Sequence, residues 1–147
     1  MRACKDNNMD GKPIMQARCV CGAVTVDLPG PASIIVACHC LECQRRTGSP
    51  FGVGGYYPAD DIRASGAVTE FVRPTAAGGM FRTCFCPVCG TTVYWTTSSK
   101  PGMVGIAVGA IADPGYPPPN KSAWEDTMHA WAAIDAAAEH FPRSWSR

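Results

Sequence analysis

Phe85-Cys86-Pro87-Val88-Cys89-Gly90 decides how this chain is read. Two cysteines three apart bring their sulfurs to one point only if the backbone turns between them. Pro87 presets φ for that turn, and Gly90 allows a positive φ just after the second sulfur. Cys19-Val20-Cys21-Gly22 is a tighter version with its glycine in the matching place. The two knuckles lie about 65 residues apart and supply four thiolates, the ligand set of a structural Cys4 zinc site. The pattern is hard to explain as the packing of reduced core thiols.

Between the knuckles stands a different cluster, Cys38-His39-Cys40-Leu41-Glu42-Cys43. In extended backbone residues 38 and 40 point the same way, and a turn brings Cys43 round to meet them. That makes three sulfurs, with no fourth cysteine nearby in sequence. A zinc ion with three protein ligands keeps a position for water or substrate, the mark of catalytic sites. His39 alternates to the other face and is expected as a hydrogen-bonded supporting or core residue rather than a ligand. Alternatives are a second closed zinc site completed by Cys84 or a distant histidine, or an iron–sulfur cluster, which needs a fourth ligand and usually other spacings. Cys84 is expected as a small buried residue and Cys4 as a free thiol.

The remainder of the 147 residues limits the alternatives. A hydrophobic fraction of 46% supports one core, and 17% charged residues is low without being that of a disordered chain. Thirteen basic and twelve acidic residues give net +1, with no run of lysines. A nucleic-acid partner or anionic membrane surface is therefore unexpected. No apolar window approaches the roughly 18–20 residues of a membrane span. Met1-Arg2-Ala3-Cys4-Lys5-Asp6-Asn7-Asn8 has no apolar signal region, so the expected compartment is the reducing cytoplasm. Nine cysteines there, an odd number, point to metal rather than disulfides.

Residues 1–15 read as a loose leader and 16–147 as a single domain. Fifteen glycines and thirteen prolines predict many turns and little helix. Strands are predicted at Val24–Leu28, Ser33–Ala37, Phe51–Tyr57, Ala67–Arg73, Gly79–Phe85, Thr91–Thr97 and Met103–Ala110. The glycines within 51–57 suggest a close approach of another backbone. A short helical turn follows Cys43 through Gln44-Arg45-Arg46. The alanine-rich stretch Ser122–His140 is expected to be helical in part. The fold class is thus mainly β, in short strands.

The order of these motifs resembles a known family. Cys-Val-Cys-Gly-Ala-Val at 19–24, Cys-His-Cys-x-x-Cys at 38–43, Arg-x-Thr-Gly-Ser-Pro-Phe at 45–51 and Phe-Cys-Pro-Val-Cys-Gly at 85–90 carry the likeness, with the glycine-bearing strand near 102–110. The chain resembles the glutathione-dependent formaldehyde-activating enzyme family, also called the centromere-protein-V domain family, within the Mss4-like fold. The likeness spans roughly residues 16–145. It implies small antiparallel sheets around a structural zinc at Cys19, Cys21, Cys86 and Cys89, and a catalytic zinc at Cys38, Cys40 and Cys43. It also implies a carbon–sulfur lyase that reversibly adds the glutathione thiol to formaldehyde, giving S-(hydroxymethyl)glutathione. Two places depart from the family pattern: Gln44 stands where relatives often carry a basic residue, and Ser122-Ala123 where a histidine often precedes the tryptophan.

Three thiolates on Zn²⁺ leave a formal charge of −1, which a nearby cation would offset. Arg45 and Arg46 are the candidates, as a catalytic cation (Arg45) or as clamps for a substrate carboxylate. Phe51, Tyr56 and Tyr57 are candidate pocket walls, although aromatics in a strand are more often core, whereas His129 and His140 are expected as surface or helix-side residues. The competing function class is a non-catalytic zinc module that binds a protein partner.

Overall fold

The structure is a computed structural model that describes residues 15–145. Most of the predicted leader, with Cys4, lies outside the described residues. Met15, its last member, already opens a strand.

Two sheets make up the molecule. The smaller is an antiparallel set of β1 (Met15–Arg18), β2 (Thr25–Leu28) and β5 (Arg63–Ser65) in the order β1-β2-β5. The larger sheet contains β3 (Ile34–Cys38), β4 (Gly52–Pro58), β6 (Thr69–Pro74), β7 (Met80–Phe85), β8 (Thr92–Thr97), β9 (Met103–Ala107), β10 (Lys121–Ala123) and β11 (Glu139–His140). Its order is β11-β10-β3-β4-β9-β8-β7-β6, antiparallel except where β10 runs parallel to β3 and to β11. Helix is confined to α1 (Leu41–Thr47), α2 (Val108–Ile111) and two single 3-10 turns. Mostly β with little helix, and with clustered cysteines, this is an Mss4-like fold.

Register assigns the faces of the large sheet. Directly paired residues share a face, and so do alternate residues along a strand. The pairs Cys38/Gly52, Val36/Gly54, Tyr56/Gly105, Gly105/Trp95, Thr97/Phe81 and Phe81/Arg73 therefore put one continuous row of side chains on one side. The other side carries Ile35, Tyr57, Val104 and Ile106, all buried, which meet Val26 and Leu28 of the small sheet and Val24 just before it. The core lies between the sheets, and the first face is left to form a cleft. Inside the core Tyr57 Oη donates to Gly30 O at 2.7 Å and lies 2.9 Å from Tyr116 Oη. Tyr57 is thus a core residue and not a pocket wall.

Each predicted strand is present, shifted at its ends by one to three residues. The glycines of β4 do mark a close approach, but what comes near is a side chain. A Cβ on Gly54 would lie 2.4 Å from Trp95 Cζ2, and one on Gly105 2.2 Å from its Nε1. The predicted helix in Ser122–His140 is absent. That stretch holds two short strands, the 3-10 turn Glu125–Thr127 and irregular turns, with Trp124 at φ 56° in the left-handed region. Its backbone is committed to distant partners, for example Trp124 N–H to Arg143 O at 3.0 Å and Ala138 N–H to Asn120 O at 3.1 Å. Its alanines present no continuous apolar stripe, since Ala132 and Ala137 are buried while Trp131 is exposed.

Candidate metal centres and cleft

The two knuckles fold alike. Gly22 N–H returns to Cys19 O at 3.0 Å, and Gly90 N–H to Cys86 O at 2.9 Å. Both glycines have positive φ, 80° and 75°. The knuckles cap the turns from β1 to β2 and from β7 to β8, so they join the small sheet to the large one. Thr91 stitches them together: its Oγ1 accepts from Val20 N–H at 3.2 Å and lies 3.2 Å from Cys89 Sγ. The Thr91 bond, assisted by the Cys21 backbone, lowers the Cys89 pKa to about 5.

All four sulfurs lie within 4.8 Å of one another. Cys21 Sγ is 3.6 Å from both Cys19 Sγ and Cys86 Sγ. That is far beyond a disulfide and close to the roughly 3.8 Å edge of a sulfur tetrahedron with about 2.3 Å bonds. The donor set therefore fits a tetrahedral, thiolate-loving ion.

Cys38, Cys40 and Cys43 form a second cluster with the same 4.8 Å mutual limit. Cys38 ends β3, Cys40 is the N-cap of α1, and Cys43 lies in its first turn, where its N–H donates to Cys40 Sγ at 3.3 Å. Hydrogen bonds from the Cys38 and Cys43 thiols hold the Cys40 pKa down at about 2, with Arg73 contributing. The same sharing, with burial, pushes the Cys38 thiol up. Cys40 is the thiol whose ionisation is favoured, and Cys38 and Cys43 are pushed toward keeping their protons. A cation among them would displace those protons, which is how thiolate metal sites form. Among the described residues Cys84 belongs to neither cluster; it is buried on β7, opposite Tyr94 of β8.

The backbone of the second cluster is held by residues not singled out as functional. His39 O accepts from Gln44 Nε2 at 2.9 Å and from Thr127 Oγ1 at 2.9 Å. Gln44 also donates to Thr127 O, and its Oε1 lies 3.0 Å from His129 Nε2. The unusual glutamine thus ties the cysteine loop to the C-terminal segment. His39 turns away from the sulfurs, as expected, is fully buried, and meets Ser122 Oγ at 3.1 Å. Its ring packs 5.5 Å from Phe51, so Phe51 supports the loop rather than walling the cleft.

The three sulfurs line a cleft of about 340 Å³ on the open face of the large sheet. Arg46 borders it, its guanidinium 4.5 Å from the Trp95 ring centroid. Its Nε is buried with no hydrogen-bond partner among the described residues. Arg45, in contrast, points outward and pairs with Glu42 at 3.0 Å, its side chain 68% exposed. Only Arg46 of the two predicted arginines reaches the cleft. Sequence reasoning missed Arg73, Phe81, Trp95 and Trp145, which also border it. No local motif marks them; register brings Arg73, Phe81 and Trp95 together, and Trp145 joins them from the C-terminal segment. Tyr56 lines the cleft as foreseen, its oxygen accepting from Trp95 Nε1–H at 3.2 Å. Burial, with the nearby Cys38 and Cys43 sulfurs, raises its pKa to about 12, so it keeps its proton.

Comparison with known proteins agrees with this geometry. The family model for glutathione-dependent formaldehyde-activating enzyme matches residues 14–133. A crystal structure of a Rhodobacter sphaeroides protein is similar, with a TM-score of 0.54 and 26% identity, covering 71% of this chain and 92% of that one. No curated protein matches. The matched span contains both cysteine clusters and the strands that carry them, and the chain belongs to the glutathione-dependent formaldehyde-activating enzyme family.

Proposed function

We propose that the protein is a zinc-dependent carbon–sulfur lyase acting on a glutathione-type thiol adduct of formaldehyde or another small aldehyde. The observation that carries this reading is the position of the three-sulfur cluster. Its sulfurs line a cleft, whereas the four-sulfur cluster joins two sheets. Three protein donors leave room for one exogenous ligand and four do not.

Cys38, Cys40 and Cys43 would hold a zinc ion, which would supply a Lewis-acidic position favouring the thiolate form of the substrate thiol near neutral pH. The chain's own residues do the rest. Arg46 offsets the negative charge of the sulfurs and offers its fork to a substrate carboxylate. Tyr56, protonated and already accepting from Trp95, has its O–H free to donate to an aldehyde oxygen. In the forward direction the thiolate sulfur forms a bond to the carbonyl carbon. The π pair moves to oxygen, which takes a proton from Tyr56 O–H, and the proton released by the thiol restores the tyrosine. The reverse step breaks that carbon–sulfur bond and returns the aldehyde. The same proposal takes the cytoplasm as the compartment and residues 16–147 as one domain.

Exchange NMR of glutathione with formaldehyde tests the reading. The zinc-loaded protein is expected to speed hydroxymethyl exchange above the spontaneous rate, and Cys40→Ser to remove the acceleration while staying folded. No acceleration with both sites loaded would overturn it.

One observation favours a second reading, a zinc module that binds a protein partner. Val20 and Val88, at the tips of the two knuckles, are 82% and 78% exposed. A partner bound there would shield both valines from solvent.

A further inference from the structure

Aromatic rings make up much of the wall of the cleft, among them Tyr56, Phe81, Trp95 and Trp145. Trp95 lies flat on a strip of sheet that has no side chains. Gly54 and Gly105 leave the space its indole occupies, and Gly52 does the same for Arg46, whose Nη2 would be 2.7 Å from a Cβ there. Gly52 and Gly54 alternate on the same face of β4 as Cys38 does on β3, so this bare strip leads directly to the sulfurs. Phe81 stacks beside Trp95 with centroids 5.9 Å apart and planes 27° apart. Tyr56 stands edge-on to Trp95, at 6.4 Å and 78°. Trp145 packs against Tyr56 from the C-terminal segment at 5.3 Å.

Two guanidiniums are laid on these rings. Arg46 covers Trp95, and Arg73 sits 4.6 Å from the Phe81 centroid. Cations held on aromatic faces make a surface that stacks planar π systems as well as anions. Among the described residues one acidic side chain, Glu42, borders the cleft, and it is paired with Arg45.

From this juxtaposition we propose that the cleft accepts an aromatic group on the reacting carbon. The aldehyde would then be an aryl aldehyde rather than formaldehyde alone, and Phe81 and Trp145 would determine that specificity. The inference rests on the lyase reading above. The chemistry balances in the same way: the thiol adds across the aryl C=O, a carbon–sulfur bond forms, and the thiol proton ends on the oxygen. The ring lies in the slot between Phe81, Trp145 and the Arg–Trp95 stack.

Stable thioethers test this without turnover. Isothermal titration of the zinc-loaded protein would compare S-methyl-, S-butyl- and S-benzylglutathione. S-Benzylglutathione is expected to bind about tenfold tighter than the S-methyl compound, with S-butyl between them. Phe81→Ala and, independently, Trp145→Ala are expected to lower S-benzyl affinity more than S-methyl affinity, bringing the benzyl preference to about threefold or less. Trp145 lies near the chain end, off the sheet, so its variant remains informative should Phe81→Ala fold poorly. Equal affinity for all three compounds overturns the inference and leaves the lyase reading standing. So does an S-butyl affinity equal to S-benzyl, which would mark a merely apolar slot. Failure of all three to bind overturns the inference together with the glutathione-type reading beneath it.

Discussion

Arg46 is the residue on which the cleft's charge balance turns. Its Nε is buried and has no acceptor among the described residues, an arrangement that costs free energy unless an anion completes it. Arg46→Gln should therefore weaken substrate binding, with kcat/KM falling about 10- to 100-fold, mostly through KM. Arg45→Gln should change kcat/KM by less than about twofold, because Arg45 makes only an exposed pair with Glu42. Steady-state kinetics on both variants checks the contrast. At the rim of the molecule His140 Nδ1 lies 2.6 Å from Glu125 Oε1. That bond raises the His140 pKa above its usual value. Burial pushes Glu125 up, but the His140 bond outweighs it and its net shift is down. The stability from the raised histidine is fully present below the unfolded pKa of about 6.5 and is lost as pH rises through the folded value. The glutamate's share is present above about 4.3 and is lost as pH falls through its own lowered value. An NMR titration should place the His140 midpoint above about 6.5 in the native protein and lower in Glu125→Gln.

At the scale of elements, the strand glycines carry as much of the site as the cysteines. Gly54→Ala would drive a methyl group into the Trp95 indole, and both neighbours are fixed by register. A loss of about 1–3 kcal/mol in denaturant unfolding is expected, with a change in tryptophan fluorescence. The elements also show what a sequence can reveal. β3, β4, β7, β8 and β9 were legible because β-branched and aromatic runs end at Gly, Pro or Ser signals. β5, β10 and β11 were not legible: they are two or three residues long and exist only because a distant strand pairs with them. β10 lies beside β3 with Ala123 opposite Cys38, a relation across 85 residues that no local pattern encodes. The same distance explains the tail. Its alanines favour helix in isolation, yet its N–H groups bond to Asn120, Phe141 and Arg143. Likewise the two cysteine clusters follow from spacing alone, whereas Arg73 and Trp95 join the cleft only through the ladder.

For the molecule as a whole, the two clusters stand in different places. The Cys19, Cys21, Cys86 and Cys89 set links the sheets that enclose the core. Cys86→Ser should consequently abolish cooperative folding as read by circular dichroism, because metal affinity at such a site is folding free energy. Cys40→Ser lies on the cleft side and should leave the thermal midpoint within a few degrees. The most direct measurement of the central claim is zinc K-edge X-ray absorption on protein of known metal content, before and after adding glutathione. Two zincs per chain averaging about 3.5 sulfurs each, rising to about 4 with glutathione, is the expected result. A single zinc with about four sulfurs that glutathione does not alter would contradict it.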